Sequence, residues 1–268
     1  MPSTRVRSSC CGTWTCDRRA RVQRGSCGLS EMPASPVKAV FFDIDDTLVD
    51  DAAATRAGAL GLFDRCRDRL GECDERLMQR WITLLDHHFE RYLRGESSFI
   101  GQRRARIRDL FGLSPDQMPD AEVDAIHEVY REFYYGAWRL FPDAVETLDA
   151  LDGYRLGVIS NGTSALQRRK LAAVGVLDRF AAVMISEDIG VAKPDPGIFE
   201  AACQAVGASP SACVHVGDRL DTDARGARDA GLTGVWLNRR GEDAGTLDVP
   251  AIERLTELPA LVTRRRAS

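Results

Sequence analysis

Three carboxylates, Asp43, Asp45 and Asp46, fall within four positions at the end of the apolar run Ala39-Val40-Phe41-Phe42, with Thr47 directly behind them. Four apolar residues bounded by charge read as an interior parallel strand more readily than as a helix. Carboxylates gathered at a strand end repel one another unless a cation or hydrogen bonds offset the cost. A divalent metal site is one reading of this turn, and a solvated acidic turn is the other. The stretch alone does not choose between them.

The elements that would have to position such a site begin at Phe141-Pro142, where short apolar strands alternate with helices. Strands are predicted at Arg155 to Ser160, Ala181 to Ser186, Ala212 to Gly217 and Gly234 to Asn238. Helices are predicted at Ala165 to Val174, Pro196 to Val206 and Ala224 to Ala230. That alternation implies right-handed βαβ units and a parallel sheet covered on both faces. In such sheets ligands bind outside the carboxyl ends of the strands. Those ends carry Ser160-Asn161-Gly162, then Ser186-Glu187-Asp188 followed by Lys193-Pro194, then Gly217-Asp218 with Asp221 and Asp223. An all-oxygen donor set suits magnesium. One carboxylate can act as a nucleophile and a second can shuttle a proton, while a metal, a lysine and hydroxyl or backbone donors neutralise a transferring phosphoryl group.

Four of these stretches resemble the haloacid dehalogenase (HAD) superfamily of hydrolases, over about 200 residues from Val37 to Asn238. Its Asp-x-Asp-x-Thr motif is matched by Asp43-Ile44-Asp45-Asp46-Thr47, and its strand ending in Ser or Thr by Val158-Ile159-Ser160. Lys193 in Val191-Ala192-Lys193-Pro194 matches the third motif, and Gly217-Asp218 through Asp223 the fourth. The resemblance implies a Rossmann-like parallel α/β core with an inserted α-helical cap, and a Mg2+-dependent phosphatase working through an aspartyl-phosphate. It casts Asp43 as nucleophile and metal ligand, and Asp45 as general acid/base with its backbone carbonyl on the metal. Thr47 would steady the loop between them and belong to the phosphate-binding set. Ser160 and backbone N–H groups near Asn161 and Gly162 would donate to the phosphoryl group. Lys193 would tie Asp43 to it, and Asp218 and Asp223 would complete the metal site. The expected substrate is a small phosphorylated metabolite such as a nucleoside monophosphate, a sugar phosphate, phosphoglycolate or an acylneuraminate phosphate. A haloacid dehalogenase or a phosphomutase on the same fold is the alternative, and a non-catalytic module a more distant one.

Between the first strand and Phe141 the pattern is helical throughout. Helices are predicted at Ala52 to Leu70, Asp74 to Arg94, Ser98 to Leu113 and Asp120 to Trp138, with Asp120 as an N-cap. The second carries the stripe Leu77, Trp81, Leu84, Leu85, His88, Phe89 and Tyr92 on one face, with one of His87 and His88 packed and the other solvated. This block resembles the family's C1-type cap. The expected organisation is a tail over residues 1–36, a core over 37–50 and 141–262, a cap over 51–140 and a second tail over 263–268. Arg103, Arg104, Arg106 and Arg108 read as a solvated face, with one of them able to reach an anionic substrate. His215 reads as a satisfied core residue and Asp221 as solvated surface.

The chain has 268 residues, 36 of them Lys or Arg and 40 Asp or Glu, for a net charge of −4. That balance leaves no basic footprint for nucleic acid, and no apolar run approaches the length of a membrane span. A cytoplasmic monomer or homodimer is expected. Only Lys38, Lys170 and Lys193 are lysines, so a lysine at position 193 suggests that a compact ammonium is required there. Residues 1–31 hold six arginines and four of the eight cysteines. This segment reads as a disordered tail or as a spurious extension ahead of Met32, although its composition resembles a transit peptide. Cys10, Cys11, Cys16 and Cys27 have no zinc-site spacing. Cys66, Cys73, Cys203 and Cys213 read as reduced and mostly buried thiols.

Overall fold

The structure is a computed structural model and describes residues 36–243 and 245–264. The expectations for residues 1–35, including those for Cys10, Cys11, Cys16 and Cys27, lie outside the described residues, as do 265–268. β1 (Ala39–Phe42) is buried at every position, because its two faces meet different layers. Val40 and Phe42 pack in a cluster with Leu148, Leu171 and Leu258. Ala39 and Phe41 pack in another with Ile198, Phe199 and Ala227. Coverage on both sides is what permits a strand with no polar face.

A block of helices follows: α1 (Asp51–Arg65), α2 (Arg67–Leu70), α3 (Glu75–Leu93), α4 (Phe99–Phe111) and α5 (Asp120–Gly136). Three helix starts are capped by side chains that accept a backbone N–H, Asp50 from Ala53, Asp74 from Leu77 and Ser98 from Gly101. Such caps satisfy donors that have no partner inside the helix. The block has its own apolar core, with Leu62, Phe63, Trp81, Ile107 and Tyr130 at its centre. His88 is buried and His87 exposed, as the stripe on α3 implies. The single helix expected from Ala52 to Leu70 breaks at Cys66, since α2 buries no side chain that would hold it on the axis of α1. Asp120 is not an N-cap. Pro119 takes that position, and the Asp120 carboxylate instead pairs with Arg104 and Arg108.

The chain then returns through α6 (Pro142–Ala150), β2 (Arg155–Ser160), α7 (Ser164–Ala173), β3 (Ala182–Ile185), α8 (Ser186–Ile189) and α9 (Pro196–Ala205). β4 (Cys213–Gly217), a π-helical turn at Leu220–Arg225, α10 (Gly226–Asp229), β5 (Thr233–Leu237), β6 (Ala251–Ile252) and α11 (Leu258–Arg264) complete it. The sheet is parallel throughout, in the order β3-β2-β1-β4-β5-β6. After β1 the chain builds outward on one side and then returns to the other, so the order reverses between β1 and β4. That reversal opens a crevice at the carboxyl ends of these two strands. The helix expected from Ala224 begins as a wider turn at Leu220. Thr263 and Arg264, expected in a tail, are the last residues of α11, which Val262 anchors in the core.

The thiols of Cys66, Cys73, Cys203 and Cys213 are all free, and Cys73 is exposed rather than buried. No helix among the described residues is long and apolar enough to cross a membrane.

Candidate active site

Asp43 stands one residue beyond β1, and its N–H donates to Val216 O at 2.9 Å. This extension of the β1–β4 ladder brings Asp43 beside Gly217-Asp218. Gly217 allows the approach, because a Cβ there would lie 2.3 Å from Asp223 Cγ. Lys193 reaches the same point from the loop before α9. Its Nζ donates to Asp43 Oδ1 at 2.6 Å, to Asp223 Oδ1 at 2.6 Å and to Ile159 O at 2.9 Å. All three ammonium protons are therefore committed to the protein, and none remains for a phosphoryl oxygen in this arrangement. Burial opposes the Lys193 charge, but Asp223 and Asp43 outweigh it and hold its pKa above the usual lysine range. Burial likewise opposes charge on Asp223, yet Lys193 and His215 keep its carboxyl well below the usual range.

Oxygens of Asp43, Asp218 and Asp223 all lie within 4.8 Å of one another. With Lys193 as the compensating cation, these carboxylates carry an excess of about two negative charges when ionised. Among the described residues no hydrogen-bond donor reaches the Asp218 carboxylate. Burial, then Asp43 and Asp223, push its pKa up to about 8. A hard dication with oxygen ligands would relieve that repulsion, so the residues present fit magnesium. Asp218 is the least engaged of the three. Asp223 accepts from Lys193 and His215 on Oδ1 and from the Arg219 N–H on Oδ2 at 3.0 Å. It is better placed to support the site than to offer a free oxygen.

The remaining predicted residues lie around this centre, though not all as expected. Thr47 is fully buried and its Oγ1 accepts from the Asp218 N–H at 3.1 Å, so it joins two strand-end loops instead of lining the phosphate site. Asn161 clamps the Lys193 backbone with both ends of its amide, Nδ2 to Lys193 O at 3.0 Å and Lys193 N–H to Oδ1 at 2.7 Å. The Gly162 N–H is already given to Ser186 Oγ at 2.9 Å. The N–H groups of Ile44, Asp45 and Asn161 have no acceptor among the described residues and are the freer backbone donors near Asp43. Ser160 is buried, and its Oγ accepts from Gln167 Nε2 at 3.1 Å.

Asp45 turns away from the three carboxylates. Gln167 Nε2 donates to its Oδ2 at 2.8 Å and Lys170 Nζ to its Oδ1. Removal from water pushes the Asp45 pKa up to about 7, with Lys170 opposing and Asp51 and Asp43 adding to the rise. Gln167 and Lys170, three residues apart on one face of α7, had no place in the motif reading. The available signal was the scarcity of lysine: Lys193 and Lys170 are buried and only Lys38 is exposed.

Two expectations away from the motifs need correction. His215 is fully buried but only half satisfied, with Nε2 at 3.3 Å from Asp223 Oδ1 and no partner for Nδ1. Burial lowers its pKa, which leaves a neutral ring against the site. The four arginines of α4 divide. Arg104 and Arg108 pair with Asp120 and Asp124 on a polar face, Arg103 lies 3.9 Å from the Phe99 ring centroid, and Arg106 is buried with its guanidinium 4.7 Å from the Trp81 ring centroid. Asp221 is solvated and pairs with Arg225, as expected.

The model of the haloacid dehalogenase-like hydrolases matches residues 37–231. A glyceraldehyde 3-phosphate phosphatase of Methanopyrus kandleri is 34% identical, over 81% of this chain and 92% of its own. A phosphoserine phosphatase of Thermus thermophilus is 30% identical, over 77% and 92%. A solved 2-haloacid dehalogenase from Pseudomonas syringae superposes with a TM-score of 0.62 at 30% identity, over 85% of this chain and 99% of that one. The chain belongs to the haloacid dehalogenase-like hydrolases and is a phosphatase-type enzyme among them.

Proposed function

We propose that the enzyme is a Mg2+-dependent phosphatase that hydrolyses the phosphoric monoester of a small metabolite in two steps through Asp43. One observation carries this reading. Two carboxylates of a single strand-end loop are held by different partners, Asp43 by Lys193 beside Asp218 and Asp223, and Asp45, pushed up to about 7, by Lys170 and Gln167. A carboxylate fixed beside the metal-type cluster can attack, and a neighbour with its pKa raised to about 7 can carry the proton.

In the first step an Asp43 oxygen forms a bond to phosphorus and the ester P–O bond breaks, while Asp45 gives its proton to the departing oxygen. In the second, Asp45 takes a proton from the water that attacks the aspartyl-phosphate, and inorganic phosphate leaves. Asp43, Asp218 and the Asp45 carbonyl, with Asp223 in support, would hold magnesium, which would supply positive charge to the phosphoryl oxygens. Lys193 holds Asp43 and Asp223 at a fixed separation, and Ser160 and the free N–H groups of Ile44, Asp45 and Asn161 face the phosphoryl group. Residues 37–50 and 141–262 form the core, and residues 51–140 are a cap that excludes water and contacts the leaving group.

A dehalogenase expels halide, which needs no proton, so an acid at position 45 favours an oxygen leaving group. The relatives act on different phosphates, glyceraldehyde 3-phosphate and phosphoserine, which leaves the substrate to experiment. A phosphate-release screen over a panel of metabolite phosphates tests the reading. The expected result is magnesium-dependent release from a small subset, abolished by EDTA. Halide release from 2-haloacids unaffected by EDTA would overturn it.

A further inference from the structure

Lys170 projects from α7 into the junction between the sheet and the helical block, and its side chain is 1% exposed. Its Nζ donates to Asp45 Oδ1 and, at 2.6 Å, to Asp51 Oδ1. Asp51 is the first residue of α1, and the same Oδ1 accepts from the Tyr134 hydroxyl of α5 at 2.5 Å. The ring of Tyr134 lies 5.4 Å from Nζ and that of Trp138 5.7 Å. A buried ammonium is tolerated only where charges and ring faces replace its water. Here two carboxylates do so, and they hold its pKa well above the ordinary value although burial opposes the charge. A guanidinium would spread its charge over a plane, whereas one compact ammonium meets both carboxylates and both rings from a single point.

We propose that Lys170 is the positioning residue for Asp45, and that through Asp51 and Tyr134 it ties the orientation of this acid to the seating of α1 and α5. The assignment rests on the phosphatase reading above. Lys170 and Gln167 each hold one Asp45 oxygen, so α7 fixes the carboxylate at two points. Among the described residues the other hydrogen bonds of the Gln167 side chain go to the Ser160 hydroxyl and the Asn161 carbonyl, both at the end of β2. Lys170 is the one of the two that also contacts the helical block. A shift of α1 or α5 therefore bears on the Asp45 carboxylate through this ammonium, beside the backbone link that the Asp46 side chain makes to the Ala52 N–H of α1. The chain's two buried lysines thus divide the loop between them, Lys193 holding Asp43 and Lys170 holding Asp45.

The test compares kcat/KM, which reports the steps up to departure of the leaving group, for p-nitrophenyl phosphate and phenyl phosphate. Phenolate needs protonation more than p-nitrophenolate does, so misplacing the acid penalises phenyl phosphate selectively. Lys170→Met is expected to lose roughly tenfold more on phenyl phosphate than on p-nitrophenyl phosphate. Tyr134→Phe, which removes only the hydroxyl, is expected to shift the ratio in the same direction by about threefold. In an Asp45→Asn background Lys170→Met should cost nothing further, because it acts through the acid. Equal losses on the two esters, or additive losses in the double variant, would overturn the assignment and leave the phosphatase reading standing. Failure of the wild type on both esters and on the metabolite panel would overturn both. Thermal melts of each variant separate a folding defect, which lowers both rates alike, from the selective loss.

Discussion

Asp43 and Asp45 are two residues apart, yet their side chains belong to different networks. Lys193 and the strand-end carboxylates surround the first, and α7 and the helical block hold the second. Substituting Asp43 with Asn keeps the shape and removes the proposed nucleophile. Steady-state phosphate release from Asp43→Asn should fall below about a tenth of wild type, with the melting temperature little changed. Retained turnover would remove Asp43 from the mechanism. Asp218 accepts from no donor among the described residues and crowds two other acids, so Asp218→Asn should relieve repulsion in metal-free protein while weakening magnesium binding. Calorimetric titration should show at least a tenfold rise in the magnesium Kd, roughly 1.4 kcal/mol of lost affinity. An unchanged Kd would exclude Asp218 as a ligand.

At the scale of elements, the site depends on close backbone approaches more than on any one contact. Gly217 ends β4, and a methyl group there would collide with the Asp223 carboxyl carbon at 2.3 Å. Asp223 would be displaced from Lys193 and from the Arg219 N–H together. Gly217→Ala should cost about 1–3 kcal/mol of stability from overpacking, and should lower kcat by a larger factor than that loss explains. Urea unfolding beside single-turnover kinetics would separate the two effects. In the helical block, Gly58 of α1 does comparable work, since a Cβ there would sit 2.6 Å from the Tyr130 ring of α5. Tyr134 lies one turn further along α5 and touches Asp51, so the α1–α5 spacing also bears on Asp45. Gly58→Val should reduce stability in urea unfolding by a similar amount; a neutral result would show that α5 shifts freely.

Across the molecule, the gathering of partly buried acids makes stability depend on pH and on metal together. Asp45 and Asp218 have folded pKa values of about 7 and about 8, raised from 3.8. Between roughly pH 4 and pH 8 these two groups bind more protons in the folded than in the unfolded chain, so their contribution to stability falls as pH rises, whereas His88, His127 and His215, held below the usual histidine range by burial, contribute in the opposite sense below about pH 6.5. The stabilisation from these two groups is complete below pH 4 and is lost as pH rises through their folded values. Asp223 has the opposite sign, but its depressed pKa acts only as pH falls below its unfolded value, outside this window. In EDTA the melting temperature should drop between about pH 7 and pH 8, above the range in which the buried histidines act. Magnesium should restore it most at the upper end, where Asp218 is ionised. A melting temperature that rises over this range in EDTA would contradict the proposed charge balance.

Much of this architecture follows from local pattern. Short apolar runs mark β1, β2, β3, β4 and β5 to within a residue or two, because a strand covered on both faces has to be apolar at every position. The Asp, Ser and Lys residues after those runs were legible for the same reason, since a strand end is where a polar group can meet a ligand. β6 escaped because two residues carry no period, and the break at Cys66 depends on what α2 fails to bury. The roles of Thr47 and of the Gly162 N–H were decided by partners far along the chain, Asp218 and Ser186. Lys170 shows the limit most clearly. Its scarcity was visible in the composition, but its meaning depends on Asp45 and Asp51, more than a hundred positions away. The sequence by itself determined the parallel sheet and the groups at its carboxyl edge. Only the tertiary structure decided which acid each buried lysine holds, because a salt bridge between distant segments leaves no periodic trace in either.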